Sequence, residues 1–184
     1  MRGAGQDLLD EMEQIRIASD LITLGARLQV VDKETSLSRS QLSSLYRKIR
    51  GVSAPRGMLP YSAEWFTTWR PNIHASLFYN AFVDLTQRIG CSRIHAFIHA
   101  YRAYLGQAAK HGETPVLEST RAWTLLRFVD SGMLRLAPCT QCGSRFLVEK
   151  HAHARHFVCG MCNPPSRAGM TKERQAADRA AATA

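Results

Sequence analysis

Five cysteines occur in this chain, and four of them lie between Cys139 and Cys162 as Cys-x2-Cys-x16-Cys-x2-Cys. Thiols paired at that spacing can hold a metal ion. A tight turn brings each pair to one centre, and zinc in a structural site takes four such ligands in a tetrahedron at about 2.3 Å. Gly143 and Gly160 stand beside the second and first cysteine of their pairs, where a missing Cβ permits positive φ and close backbone approach. The segment between the pairs, SRFLVEKHAHARHFV, predicts two short strands, Arg145–Val148 and His156–Val158. Two knuckles joined by strands make a zinc ribbon. Iron on the same four thiolates is compatible with the pattern, as are two unrelated pairs. A redox dithiol is disfavoured because neither pair sits in a βαβ context. Four thiolates leave no open coordination position, so the chemistry is structural rather than catalytic. His151, His153 and His156 read as solvated loop residues, or residues near phosphate, and Cys91 as a small buried apolar residue.

A second constellation lies near the N-terminus. The segment SLSRSQLSSLYRKIRG opens with Ser38 and Gln41 in capping-box spacing and closes on Gly51. On the predicted helix Arg39–Arg50, Leu42, Leu45, Tyr46 and Ile49 share one side. Ser40, Ser43, Ser44, Arg47 and Lys48 share the other. Small hydroxyl residues with Arg and Lys behind them suit a helix in a DNA major groove. The competing reading is an amphipathic helix with a solvated basic face. The stretch DKETSLS before it is longer than the usual helix-turn-helix turn. His95 and His99 are four apart, but Ala96 occupies the place of the glutamate in a zinc-protease motif. They read as a surface or half-buried pair. No phosphate-binding Gly-rich loop, Gly-x-Ser-x-Gly or paired catalytic carboxylates appear, so nothing points to an enzyme.

The elements that must position these groups are mostly helical. Leu8, Met12, Ile15 and Ile22, then Leu21, Leu24, Leu28 and Val31 on a drifting stripe, predict one helix over roughly 8–31. A loop follows at GVSAPRGMLP, and Ser62 can cap a helix through EWFTTW. Pro71 fits the first turn of the next helix, which Gly90 stops. Ile94, Phe97, Ile98, Tyr101 and Leu105 mark another, and Pro115 opens a last one ending at Gly132. Trp65, Phe66, Trp69, Phe78 and Phe82 are core or partner-facing aromatics. The expected fold is mainly α: a helical domain over 1–135 with a helix-turn-helix-like N-terminal part, a zinc ribbon over 136–166, and a basic, unstructured tail over 167–184.

Apolar residues make up 45% of the chain, enough for a packed core, and the net charge is +9. The excess is concentrated in two places. From Thr35 to Ala63 there is no acid, against Arg39, Arg47, Lys48, Arg50 and Arg56. From Arg145 onward, Arg145, Lys150, Arg155, Arg167, Lys172, Arg174 and Arg179 face only Glu149, Glu173 and Asp178. A polyanionic partner is therefore expected to touch one or both. Arg39, Ser43, Arg47, Lys48 and Arg50 are the candidates for reading DNA, and Arg155 and Arg167 for holding its phosphates. No signal peptide or membrane span is expected, which favours the cytoplasm and reduced thiols.

Several stretches together carry a resemblance: DLITLGARLQ, LSRSQLSSLYRKIRG, RGMLPYSAEWFTTW, NIHASLFYNAF, AYRAYL, STRAWTLLRFVDSGML and the cysteine cluster followed by NPPSRA. In collinear order over roughly 14–168, the chain resembles the FlhC family of flagellar transcriptional activators. The resemblance implies a bacterial activator that works with a second protein, FlhD, in an assembly of two FlhC and four FlhD chains. Such an assembly binds promoter DNA of flagellar and some other operons and aids RNA polymerase recruitment. It also implies zinc on Cys139, Cys142, Cys159 and Cys162. The alternative function is a zinc-ribbon adaptor that binds RNA or protein without promoter specificity.

Overall fold

The structure is a computed structural model and describes residues 4–152, 156–166 and 168. The candidates Arg155 and Arg167, His153 and the tail from 169 lie outside the described residues. The chain runs α1 (Ala4–Thr23), α2 (Leu28–Glu34), α3 (Arg39–Arg50), a 3-10 turn (Glu64–Thr67), α4 (Trp69–Gln87), α5 (Arg93–Lys110), α6 (Ser119–Asp130), β1 (Leu134–Pro138) and β2 (Arg145–Glu149). The fold is mainly helical, as expected. No described helix is long and apolar enough to cross a membrane.

The single helix expected over 8–31 is two. Gly25 sits at φ +83°. Its N–H donates to Ile22 O at 3.0 Å and that of Ala26 to Leu21 O at 2.9 Å. This is a Schellman stop, which needs a residue at ease in the left-handed region. The apolar periodicity continues beyond the break because α2 turns Val30 and Val31 into the same core as Ile17, Leu21 and Ile22. The separate α2 also shortens the connection to α3. It ends at Glu34, so only Thr35 to Ser38 lie between the two helices. A four-residue turn is the length a helix-turn-helix uses.

The sequence placed α3 correctly. Ser38 Oγ accepts from Gln41 N while Gln41 Oε1 accepts from Ser38 N at 2.8 Å, the two halves of a capping box. Leu42 and Tyr46 are buried. Ser62 caps no α-helix; only the 3-10 turn precedes α4. The last helix begins at Ser119, not Pro115.

The aromatic middle is core. Phe66 and Phe78 are fully buried and Phe82 nearly so, while Trp65 and Trp69 are half-buried. Phe78 packs on Phe97 and Tyr101 across the α4–α5 contact. Trp123 of α6 donates to Glu34 Oε1 at 2.7 Å, tying the end of α2 to the body. Cys91 is half-buried against this core, and His95 is half-buried and His99 exposed.

One buried polar network has a pH consequence. Leu117 N donates to Tyr104 Oη at 3.0 Å. The same Tyr104 hydroxyl is hydrogen-bonded to His74 Nδ1, also at 3.0 Å. Burial holds the His74 pKa below its usual 6.5, against the pull of Glu113 and with a small push from Arg70. An imidazole whose folded pKa is depressed takes up its proton more readily in the unfolded chain. Stability present above pH 6.5 is thus expected to fall as pH drops below it. Thermal midpoints from pH 8 to 5 should show a decline that His74→Gln reduces; equal slopes in both proteins would remove His74 as the cause.

Candidate metal centre and nucleic-acid interface

β1 and β2 are the arms of a hairpin, paired antiparallel from Leu134↔Glu149 to Pro138↔Arg145. The first cysteine pair occupies the connection between them. Cys139 N donates to Ser144 O and Gly143 N to Cys139 O, each at 2.9 Å, with Gly143 at φ +73°. The strand expected at Arg145–Val148 is present as β2. The strand expected at His156–Val158 is not formed: β2 pairs with β1 instead, and 156–158 reaches the hairpin through Phe157 O. That carbonyl accepts from Thr140 N at 2.9 Å. The second pair lies in the turn after it, where Cys162 N and Asn163 N donate to Cys159 O at 3.1 and 3.0 Å.

The four sulfurs all lie within 4.8 Å of one another. A tetrahedron of thiolates around zinc has edges of about 3.8 Å, and Cys142 Sγ and Cys159 Sγ are 3.8 Å apart. Cys139 and Cys159 are buried, Cys162 is half-buried and Cys142 exposed. The donor set and spacing fit a metal ion. The surrounding backbone already favours negative sulfur: Cys159 N donates to Cys139 Sγ at 3.3 Å and Gln141 N at 3.4 Å. These amides, Cys159 first, bring the Cys139 thiol down to about 6. The N–H of Ser144 lowers Cys142 in the same way. Cys162, beside its neighbours' sulfurs and Cys159 above all, is pushed up to about 12. Four thiols this close cannot all ionise without a cation among them, and a divalent metal supplies that charge. His151 and His156 are exposed.

The helical body holds this unit through one face of α4, which the sequence did not flag. Asn72 Nδ2 donates to Leu147 O at 2.7 Å and to Phe66 O at 2.8 Å. Leu147 N donates to Ser76 Oγ at 2.9 Å, and Asn80 Nδ2 to Arg145 O at 2.8 Å. Residues 72, 76 and 80 are one turn apart, so they form a line of side chains that caps the free edge of β2. Trp69 at the start of α4 donates to Gly160 O at 2.8 Å. A Cβ at Gly160 would stand 2.6 Å from Trp69 Cδ1. The two glycines of the knuckles thus serve different needs, a left-handed turn at Gly143 and close approach at Gly160. The only sequence signal for this face was polar residues recurring every fourth place in a largely apolar helix. Asn72→Ala strips two buried carbonyls of their donor and should cost about 1–3 kcal/mol. Urea unfolding checks this, and a change below about 0.5 kcal/mol would mean the edge is held by packing.

Arg39, Ser43, Arg47, Lys48 and Arg50 are all exposed. None of the four cations forms an ion pair with another described residue. At 100° per residue, Arg39, Ser43, Arg47 and Arg50 share one flank of α3, and Lys48 lies round the polar face from them. Ser43 Oγ donates to Arg39 O at 2.8 Å, which leaves its oxygen free to accept. The structure does not bring this face and the cysteine cluster into one site; they belong to different parts of the fold.

Comparison with known proteins gives a consistent result. The family described as "Flagellar transcriptional activator (FlhC)" matches residues 4–175. The flagellar transcriptional regulator FlhC of Paraburkholderia atlantica is 49% identical over 170 residues, covering 92% of this chain and 79% of that protein. That of Serratia marcescens is 50% identical over 164 residues, covering 89% and 84%. That of Gallionella capsiferriformans is 48% identical over 165 residues, covering 89% and 91%. The match takes in the helical body, α3 and all four clustered cysteines, and on it the chain belongs to the FlhC family of flagellar transcriptional activators.

Proposed function

We propose that the chain is the DNA-binding component of a flagellar activator, with α3 as the reading element and zinc as the metal that organises the ribbon. The observation that carries the reading is the polar face of α3. It is exposed, basic and unpaired among the described residues, and it follows a four-residue turn on a packed scaffold helix. Arg39, Ser43, Arg47, Lys48 and Arg50 would meet DNA there. Arg155 and Arg167 would contact phosphates, a role resting on their charge. Cys139, Cys142, Cys159 and Cys162 would hold one zinc, which fits a closed, non-catalytic site better than a redox metal does. The working units are the helical domain 1–135, the ribbon 136–166, continuous with it through β1, and a basic tail over 167–184. The partners would be FlhD, as four FlhD with two FlhC, then promoter DNA and RNA polymerase, in the cytoplasm. No enzymatic activity is proposed, because a four-thiolate site offers neither an open position nor a general base.

The test is gel retardation of a flagellar promoter fragment and a random duplex, with FlhD present. The promoter should shift at concentrations that leave the random duplex free. Equal shifts would favour an adaptor that binds nucleic acid or protein without promoter specificity.

A further inference from the structure

We propose that the loop after α3 places Arg56 in the DNA minor groove, beside the major groove that α3 enters. The proposal rests on the reading above that the chain meets DNA with its α3 side, and it adds a second element and a second groove. The loop starts at Gly51, the left-handed residue that closes α3. Within it Ala54 and Leu59 are half-buried and packed against the helical core. The four residues between them, Pro55, Arg56, Gly57 and Met58, are all exposed. The loop is thus an exposed tip clamped on both sides by its own apolar residues.

The tip is also held by two side chains from the start of the scaffold helix. Arg27, half-buried at the N-cap of α2, donates from Nη1 to Met58 O at 2.6 Å. Gln29 donates from Nε2 to Gly57 O at 3.2 Å. Arg27 N in turn donates to Thr120 Oγ1 of α6 at 3.1 Å, which fixes that anchor to the body. Gly57 stands at φ +132°, a conformation that side chains rarely adopt, and a Cβ there would lie 3.4 Å from Arg27 Nη1. All this fixing serves four solvent-facing residues rather than the core. A tip ordered in advance gives up less entropy when it meets a partner.

The chemistry of the tip selects the groove. Arg56 has no hydrogen-bond or ion-pair partner among the described residues. No acid occurs between Glu34 and Glu64, so the tip continues the basic last turn of α3. Arg56 is six residues beyond Arg50, a reach of up to about 20 Å. That is enough to pass from a helix in a major groove about 12 Å wide to the minor groove next to it. With Pro55 on one side and Gly57 on the other, the arginine stands on a narrow backbone, suited to a groove about 6 Å wide that excludes a helix. Met58 is 80% exposed. Phosphates give an apolar side chain nothing to contact, whereas minor-groove proteins pair arginine with apolar residues set against the base steps. The narrow, strongly negative groove of A·T-rich DNA is the expected target. A protein partner would need a wider apolar surface than this tip offers.

The experiment measures binding of the complex with FlhD to modified promoter duplexes. Diaminopurine in place of adenine adds an amino group to the minor groove, and 7-deazapurines remove acceptors from the major groove. Diaminopurine should weaken the unaltered complex by at least about tenfold. Arg56→Ala should bind the plain promoter about tenfold less tightly, should be indifferent to diaminopurine, and should stay sensitive to 7-deazapurines. Arg47→Ala should show the reverse pattern. Arg56 is exposed and unpartnered, so its loss leaves the fold intact, which circular dichroism checks. An unaltered complex indifferent to diaminopurine, or an Arg56→Ala complex as sensitive to it as the unaltered one, would overturn the proposal. In the second case equal weakening of promoter and random duplex would assign Arg56 to phosphate. A complex indifferent to 7-deazapurines but sensitive to diaminopurine through Arg56 would sink the α3 reading and leave the loop in place.

Discussion

Cys159→Ser should empty the metal centre and unfold the second knuckle while the helical body keeps its secondary structure. Cys159 is fully buried, and its N–H holds the Cys139 sulfur. The apolar cluster around them is small: Cys139, Phe146 and Cys159, with Ile73, Phe157, Val158 and Cys162 packed against it. A core of that size cannot order thirty residues unaided. A structural zinc supplies on the order of 10–16 kcal/mol of binding that is also folding energy. Metal analysis should fall from one zinc per chain to none, and soluble yield should fall with it. Far-ultraviolet circular dichroism should change little, because α1 to α6 draw on a separate core. Iron in place of zinc would refute the identity of the metal. Full metal content in the variant would refute the four-thiolate site.

The second large effect concerns α3. Contacts to phosphates give affinity that falls steeply with salt and carries no sequence information, whereas a good base contact is worth about 1–3 kcal/mol of discrimination. Arg47→Ala is expected to cut the preference for promoter over random DNA by about 5- to 150-fold. Ser43→Ala should act in the same direction and more weakly, since its hydroxyl proton is already given to Arg39 O. Arg155→Ala with Arg167→Ala should weaken both duplexes alike and flatten the salt slope by about two. Competition binding of the FlhD complex across a salt series separates the cases. An Arg47→Ala protein that loses both duplexes equally would reduce the α3 face to a solvated basic surface.

The parts of this molecule that sequence made legible share a feature: each is specified by neighbours in the chain. The α3 capping box needs Ser38 and Gln41, three residues apart. The knuckles need cysteines three residues apart with a glycine beside them, and β2 needs the short apolar run Phe146–Val148. What stayed hidden depended on partners far along the chain. Gly25 was visible in the sequence, but whether it bends or breaks a helix is decided by the Schellman bonds and by where Val30 and Val31 find their core. β1 is five residues ending in proline. Nothing local distinguishes it from a linker, and only pairing with β2 makes it a strand. The α4 line of Asn72, Ser76 and Asn80 acts on carbonyls and amides more than sixty residues away, and polar spacing alone does not reveal an edge to be capped. Leu8, Met12 and Ile15 show the opposite problem. Their periodicity announced a helix face, but burial is a property of the assembled fold, and here the fold leaves that face outside.

The most direct test of α3 as the reading element is to place a photo-crosslinking side chain at Ser43 in the complex with FlhD and irradiate it on promoter DNA. A crosslink to a base at one defined position is expected, resistant to excess random duplex. A control crosslinker at Thr140, in the first knuckle, should give at most phosphate-backbone products that the competitor removes. A competitor-resistant base crosslink from Thr140, with none from Ser43, would contradict the account and make the ribbon the reader.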